Sequence, residues 1–214
     1  MNTVILIFNE RVREIELYYN FLKANLNNRS EIELYKILRS NLILMLYNMV
    51  ESTISNAIEE IHNNMHVNNT TFDSLNFELK KVLIKQLKNN INPHDFVQSI
   101  NNLATDIVKQ CFQKRKISNG NIDNDTISKL GRDYGFNIRT TYEETKNGKC
   151  LEVIRGRRND LAHGTFSFTE IGKEYTIEDL GLMKDEAINY LNQILQNISV
   201  YLNNQNYKLK VINN

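Results

Sequence analysis

The stretch from Leu42 to Val50 is apolar nearly all the way round a helical wheel, with Asn48 as its polar interruption. A helix of that kind has no face to offer water and needs neighbours on several sides, as a layered helical bundle provides. The surrounding helix is predicted to begin at Ser30, whose hydroxyl forms a capping box with Glu33, and to run to about His62. With one proline and eight glycines in 214 residues, little interrupts helical order and nothing reads as a linker. The expectation is an all-α bundle with a long central helix and shorter peripheral ones, folded as a single domain over residues 1–214.

Periodicity supplies the remaining elements. Phe8, Val12, Ile15, Tyr18, Tyr19 and Leu22 mark one face of a first helix. Leu75, Leu79, Val82, Leu83 and Leu87 mark a helix over 72–87. Asn92 and Pro93 read as a cap and first turn, followed by a helical stripe from Phe96 to Cys111. Residues 118–125 are rich in Gly, Asn, Asp and Ser and read as a turn or loop; a short helix with Ile127, Leu130 and Tyr134 then ends near Gly135. Asn147 and Gly148 form a second turn that either closes a small hairpin or starts the helix expected over 150–163. Residues 165–175 alternate as a strand-like excursion, Thr176 with Glu178 and Asp179 suggests a short capped turn, and Ala187 to Leu202 carries the buried stripe of a last helix.

A formal net charge of +1 argues against a broad, sequence-independent coat for nucleic acid, so any phosphate binding must be local. Val4 to Phe8 lacks the basic leader and longer apolar core of a signal peptide, and no segment approaches a membrane span, so a cytoplasmic protein is expected. Cys111 and Cys150 are isolated and carry no role. His62 and His66 lie four residues apart, but without a carboxylate at ligand spacing they read as a solvated helix end, and His94 as surface. No metal site and no cofactor is expected.

Function points to Arg157-Arg158-Asn159-Asp160-Leu161-Ala162-His163-Gly164. An arginine holds phosphate through a planar fork of donors, and a histidine moves a proton near neutral pH. Arg155, Arg157 and Arg158 crowd this stretch, with Lys149, Arg132 and Arg139 nearby in sequence, so a focused basic cleft is conceivable beside the alternative of a solvated helical face. On the central helix, Asn48, Glu51, Ser52 and Ser55 line one stripe, with Asn41 on nearly the same side. Either Glu51 or Asn48 reaches the cleft and orients His163 or Arg158, or the stripe meets solvent.

The motif resembles the Arg-x4-6-His signature of the HEPN superfamily: Arg158 and His163 are its ends, Asn159 is the polar residue that usually follows the Arg, and Ala162 and Gly164 flank the His. The resemblance extends more loosely to the helical chain with its long apolar helix and a motif preceding a final amphipathic helix. It implies a metal-independent endoribonuclease, in which the 2′-hydroxyl of RNA attacks the adjacent phosphorus to leave a 2′,3′-cyclic phosphate and a 5′-hydroxyl. His163 would serve as general acid or base and Arg158 would stabilise the phosphate charge. Arg155 and Arg157 would contact backbone phosphates. Asp160 would set a histidine tautomer or pair with Arg157. A polar residue on a neighbouring helix often supports the motif in related proteins, which again singles out Glu51.

On an unbroken helix Arg158 and His163 differ by about 140° and would not converge. Either the helix ends near His163, for which Gly164 is suggestive, or two copies assemble the site, as in HEPN ribonucleases whose motifs face one another across a dimer. A homodimer is expected. Asn159 and His163 share a face, so Asn159 could hold the imidazole or a phosphate oxygen. The competing reading is a HEPN-like module that binds RNA, a nucleotide or a protein without cutting. Antiphage defence or a toxin–antitoxin system, with an antitoxin or defence partner, is the biological setting the family implies. In HEPN toxins silenced by a nucleotidyltransferase, however, a Tyr stands two positions after the His, where this chain has Thr165.

Overall fold

A computed structural model describes residues 1–25, 31–90 and 120–209. Helix α1 (Asn2–Ala24) begins six residues before the predicted stripe, and Val4 joins Phe8, Ile15 and Leu22 on its buried face. The central helix α2 (Ile32–Val67) runs a turn beyond His62. The predicted cap Ser30 lies outside the described residues, as do residues 92–111 with Pro93, His94, the predicted helix and Cys111. Then follow α3 (Phe77–Asn90), α4 (Asn124–Tyr134), the short α5 (Tyr142–Thr145), the motif helix α6 (Lys149–Ala162), α7 (Phe168–Gly172) and α8 (Ile177–Asn203). The chain is all-α: no strand occurs among the described residues, only an isolated bridge between Leu75 and Lys208.

Helix α2 is enclosed as its sequence requires. It packs against α1, α6, α7 and α8, and Leu42, Ile43, Leu46, Tyr47, Met49 and Val50 are all buried. Each of its buried aliphatic and methionine side chains contributes about 1.5–3 kcal/mol by leaving water. Helix α8 lies beside α1, α5 and α6 and adds Ala187, Leu191, Ile194, Leu195 and Ile198 to the same core.

Three sequence expectations change. The helix expected over 72–87 is broken: Phe72–Ser74 is a single 3-10 turn, Leu75 is extended, and the Asn76 side chain accepts the Leu79 N–H at 2.9 Å to cap α3 afresh. The strand-like excursion is instead α7. Ser167 and Glu170 form a reciprocal capping box that starts a helix, and Gly172 presses so closely on α2 that an added Cβ would stand 1.8 Å from the Lys36 carbonyl oxygen. The Thr176 capping box with Asp179 opens α8 itself rather than a separate turn.

His62 also departs from expectation. It is buried at 3 % exposure, with Nε2 2.8 Å from the Tyr134 hydroxyl, and is no part of a solvated helix end; His66 is exposed. Burial depresses the His62 pKa to about 4, so the ring is neutral in the fold. Cys150 is buried too, and burial followed by the Glu186 charge pushes its thiol up to about 12. No described helix is long and apolar enough to cross a membrane.

Candidate functional site

Helix α6 is positioned at both ends. At its start Gly148 adopts a φ of +73° and sits against the Tyr190 ring, where a Cβ would approach to 2.9 Å, so the predicted turn leads directly into the helix. At its end the last helical residue is Ala162. His163 caps it, and Gly164, at φ +67°, turns the chain away while Gly164 and Thr165 donate to the carbonyls of Leu161 and Asp160 at 3.3 and 2.9 Å. The helix thus stops where Gly164 suggested. His163 stands exposed at that stop, and its imidazole has no hydrogen-bond partner among the described residues.

The three arginines of the motif helix are sorted by their partners. Arg155 forms an ion pair with Asp123, a buried carboxylate whose other oxygen accepts the Thr126 N–H at 2.8 Å and caps α4. Arg157 pairs with Glu174, donates to the Tyr175 hydroxyl at 3.0 Å, and reaches Asp160 at 3.3 Å. Of the two roles foreseen for Asp160, the structure has the pairing with Arg157. The charges of Arg155 and Arg157 are therefore balanced within the fold, where they bind α6 to α4 and to the segment before α8.

Arg158 differs. It has no carboxylate partner among the described residues. Its Nη1 donates to the Gly120 carbonyl at 3.3 Å and to the Asn159 side-chain oxygen at 3.0 Å, and the guanidinium lies over the Tyr47 ring, 4.8 Å from its centre. Such a stack attracts by about 0.5–2 kcal/mol. Asn159 in turn donates to the Asn121 side-chain oxygen at 3.0 Å. Its carboxamide is thus engaged with Arg158 and Asn121 rather than with the imidazole, although its backbone carbonyl accepts the His163 N–H at 2.9 Å.

The polar stripe of α2 divides. Asn48 is exposed, whereas Glu51 is half-buried one turn beyond Tyr47. Burial, and then the Glu51 charge, raises the Tyr47 phenol above its ordinary pKa, so Glu51 is electrically close to the ring beneath Arg158. Arg139 does not join the motif arginines. It lines a polar groove of about 330 Å³ with Glu144, Asn192 and Gln196, beside the start of α6 rather than its end. Sequence reasoning missed Tyr47, Gly120, Asn121, Asp123 and Glu174. Tyr47 read as core, the loop residues read as a turn, and no local pattern announces a partner so far along the chain.

Comparison with known proteins agrees with the helical motif context. The family model described as HEPN_MAE_28990-like HEPN matches residues 3–207. No curated protein and no solved structure matches the chain.

Proposed function

The chain belongs to the HEPN superfamily, through the HEPN_MAE_28990-like family matched by its residues 3–207, and on that premise we propose that it is a metal-independent endoribonuclease. The observation that carries the reading is the sorting of the arginines: two pair with carboxylates, while Arg158, five positions before the exposed His163, has no carboxylate partner among the described residues. A guanidinium with open donors and a solvent-facing imidazole are the two groups a scissile phosphate requires, and a facing copy of the chain would bring them to one cleft.

The 2′-hydroxyl oxygen attacks the adjacent phosphorus and loses its proton to a base. The P–O5′ bond breaks, the 5′ oxygen takes a proton, and a 2′,3′-cyclic phosphate is left. His163 serves as base or acid, a role worth roughly 10²–10⁴-fold in rate. Arg158 offers N–H donors to the non-bridging oxygens as charge builds on them. Asn159 holds Arg158 through its side-chain oxygen. DNA lacks the nucleophile and is expected to survive. Two copies of the chain, with motif ends facing, would bring two imidazoles to one cleft, so a homodimer is part of the proposal. We place the activity in antiphage defence or a toxin–antitoxin setting, where an antitoxin or defence partner would restrain it; Thr165 takes the position of the modified Tyr of nucleotidyltransferase-silenced toxins and speaks against that form of restraint.

The test is cleavage of a mixed RNA pool in EDTA by the wild type, His163→Ala and Arg158→Ala, with product ends mapped and the mass in solution measured by sedimentation. Cutting by the wild type alone, leaving cyclic phosphates from a dimer, is expected. Equal cutting by all three proteins would overturn the assignment of these two residues, and no cutting by an intact dimer would favour a HEPN-like binding module for RNA, a nucleotide or a protein.

A further inference from the structure

Residues 155, 158 and 159 occupy one face of α6, at i, i+3 and i+4, and all three fasten to the tetrapeptide 120–123. Arg158 donates to the Gly120 carbonyl, Asn159 to the Asn121 side chain, and Arg155 pairs with Asp123. On the other side, the same guanidinium lies over the Tyr47 ring of α2. The strap passes so close that a Cβ on Gly120, itself at φ +74°, would stand 3.3 Å from Nη2 and 3.4 Å from Nη1.

Both hydrogen bonds of Arg158 leave from Nη1. Nε and Nη2, the side-on pair that matches two oxygens of a phosphate, have no partner among the described residues. The contacts therefore hold one corner and one face of the group and leave its Nε–Nη2 edge open among the described residues. All of them are made by neutral acceptors or a π face, which fix orientation without cancelling charge.

We propose that Tyr47, Gly120 and Asn121 are positioning residues that hold Arg158 with its Nε–Nη2 edge presented to the scissile phosphate; this deepens the nuclease reading and rests on it. Geometry of this kind acts in the transition state, because a group already aimed at the developing charge needs no reorganisation when the reaction occurs. Loss of a positioning residue therefore lowers kcat more than it raises KM.

Tyr47→Phe keeps the ring, Tyr47→Leu removes it, and Asn121→Ala deletes an exposed side chain with little risk to folding. Thermal melting would establish that each protein is folded at the assay temperature. Tyr47→Phe is expected to cut RNA within about twofold of the wild type, and Tyr47→Leu and Asn121→Ala to lose roughly tenfold or more in kcat with a smaller rise in KM. A second arm measures affinity for a 2′-O-methyl oligonucleotide, which cannot be cut. There Asn121→Ala and Tyr47→Leu should weaken binding by themselves but add nothing in the Arg158→Ala background, since with no guanidinium nothing is left to aim. Wild-type kcat in both Tyr47→Leu and Asn121→Ala, alongside a dead Arg158→Ala, would overturn the positioning role and leave the nuclease reading intact. A wild type that cuts nothing would sink the nuclease reading, and the binding arm then decides alone: losses that add to that of Arg158→Ala, or no losses, reject positioning.

Discussion

Three arginines within four positions carry the same charge in the sequence, yet each has a different fate decided by residues far from it. Asp123 lies 32 residues before Arg155 and Glu174 lies 17 after Arg157. Motif spacing identified Arg158, but which arginine would remain unneutralised was not legible, because that depends on where distant carboxylates arrive. The difference between Arg and Lys gives a direct check. Arg158→Lys keeps the charge but loses the planar fork, so we expect cleavage to fall by about 10²-fold or more, read as kcat on RNA. Asp123 can be separated into its two duties. Asp123→Asn retains an oxygen for the Thr126 N–H and loses the ion pair, whereas Asp123→Ala loses both. Urea unfolding should show the alanine variant less stable than the asparagine variant by about 1 kcal/mol, the usual worth of a helix cap.

Helices with a clear apolar stripe were legible because burial of a helical face writes its period into the chain: α1, α2, α4 and α6 lie where the pattern placed them, with ends displaced by a few residues, whereas α8 begins ten residues before its expected stripe. The short elements were not. Residues 165–175 alternate like a strand, but a strand needs a partner, and among the described residues none is offered; Ser167 and Glu170 supply a helix start instead. The break at Leu75 and Asn76 was hidden for the same reason, since it depends on the chain end: the Asn76 N–H donates to the Tyr207 carbonyl at 2.9 Å. Helix α7 is held by close backbone approach as well as by its buried Ile171. The Ser40 hydroxyl donates to the Phe168 carbonyl at 2.6 Å, and Gly172 rests on Lys36. A methyl group there has nowhere to go but through the α2 backbone. Gly172→Ala should therefore destabilise the chain by more than the 1–3 kcal/mol typical of overpacking, measured by chemical denaturation.

At the scale of the molecule, α2 meets α1, α6, α7 and α8, and the expected consequence is one cooperative unfolding transition, with secondary-structure and tyrosine signals superimposing across a urea titration. Acid should weaken the fold through His62. Its pKa is about 4 when folded against an ordinary 6.5, so between these values the unfolded chain binds a proton that the folded chain refuses. Stability is then full above pH 6.5 and falls by up to about 3 kcal/mol as pH drops toward 4. His62→Gln should remove most of that slope, while an unchanged slope would place the acid sensitivity elsewhere. The cradle of Arg158 has a consequence of timing. Tyr47 is synthesised well before Gly120, and Arg158 follows only after α4 and α5 are complete, so the three meet only once residue 158 has been made. A growing chain that has not yet reached residue 158 has no guanidinium to seat, so on the nuclease reading proposed above it would leave RNA, including its own message, uncut.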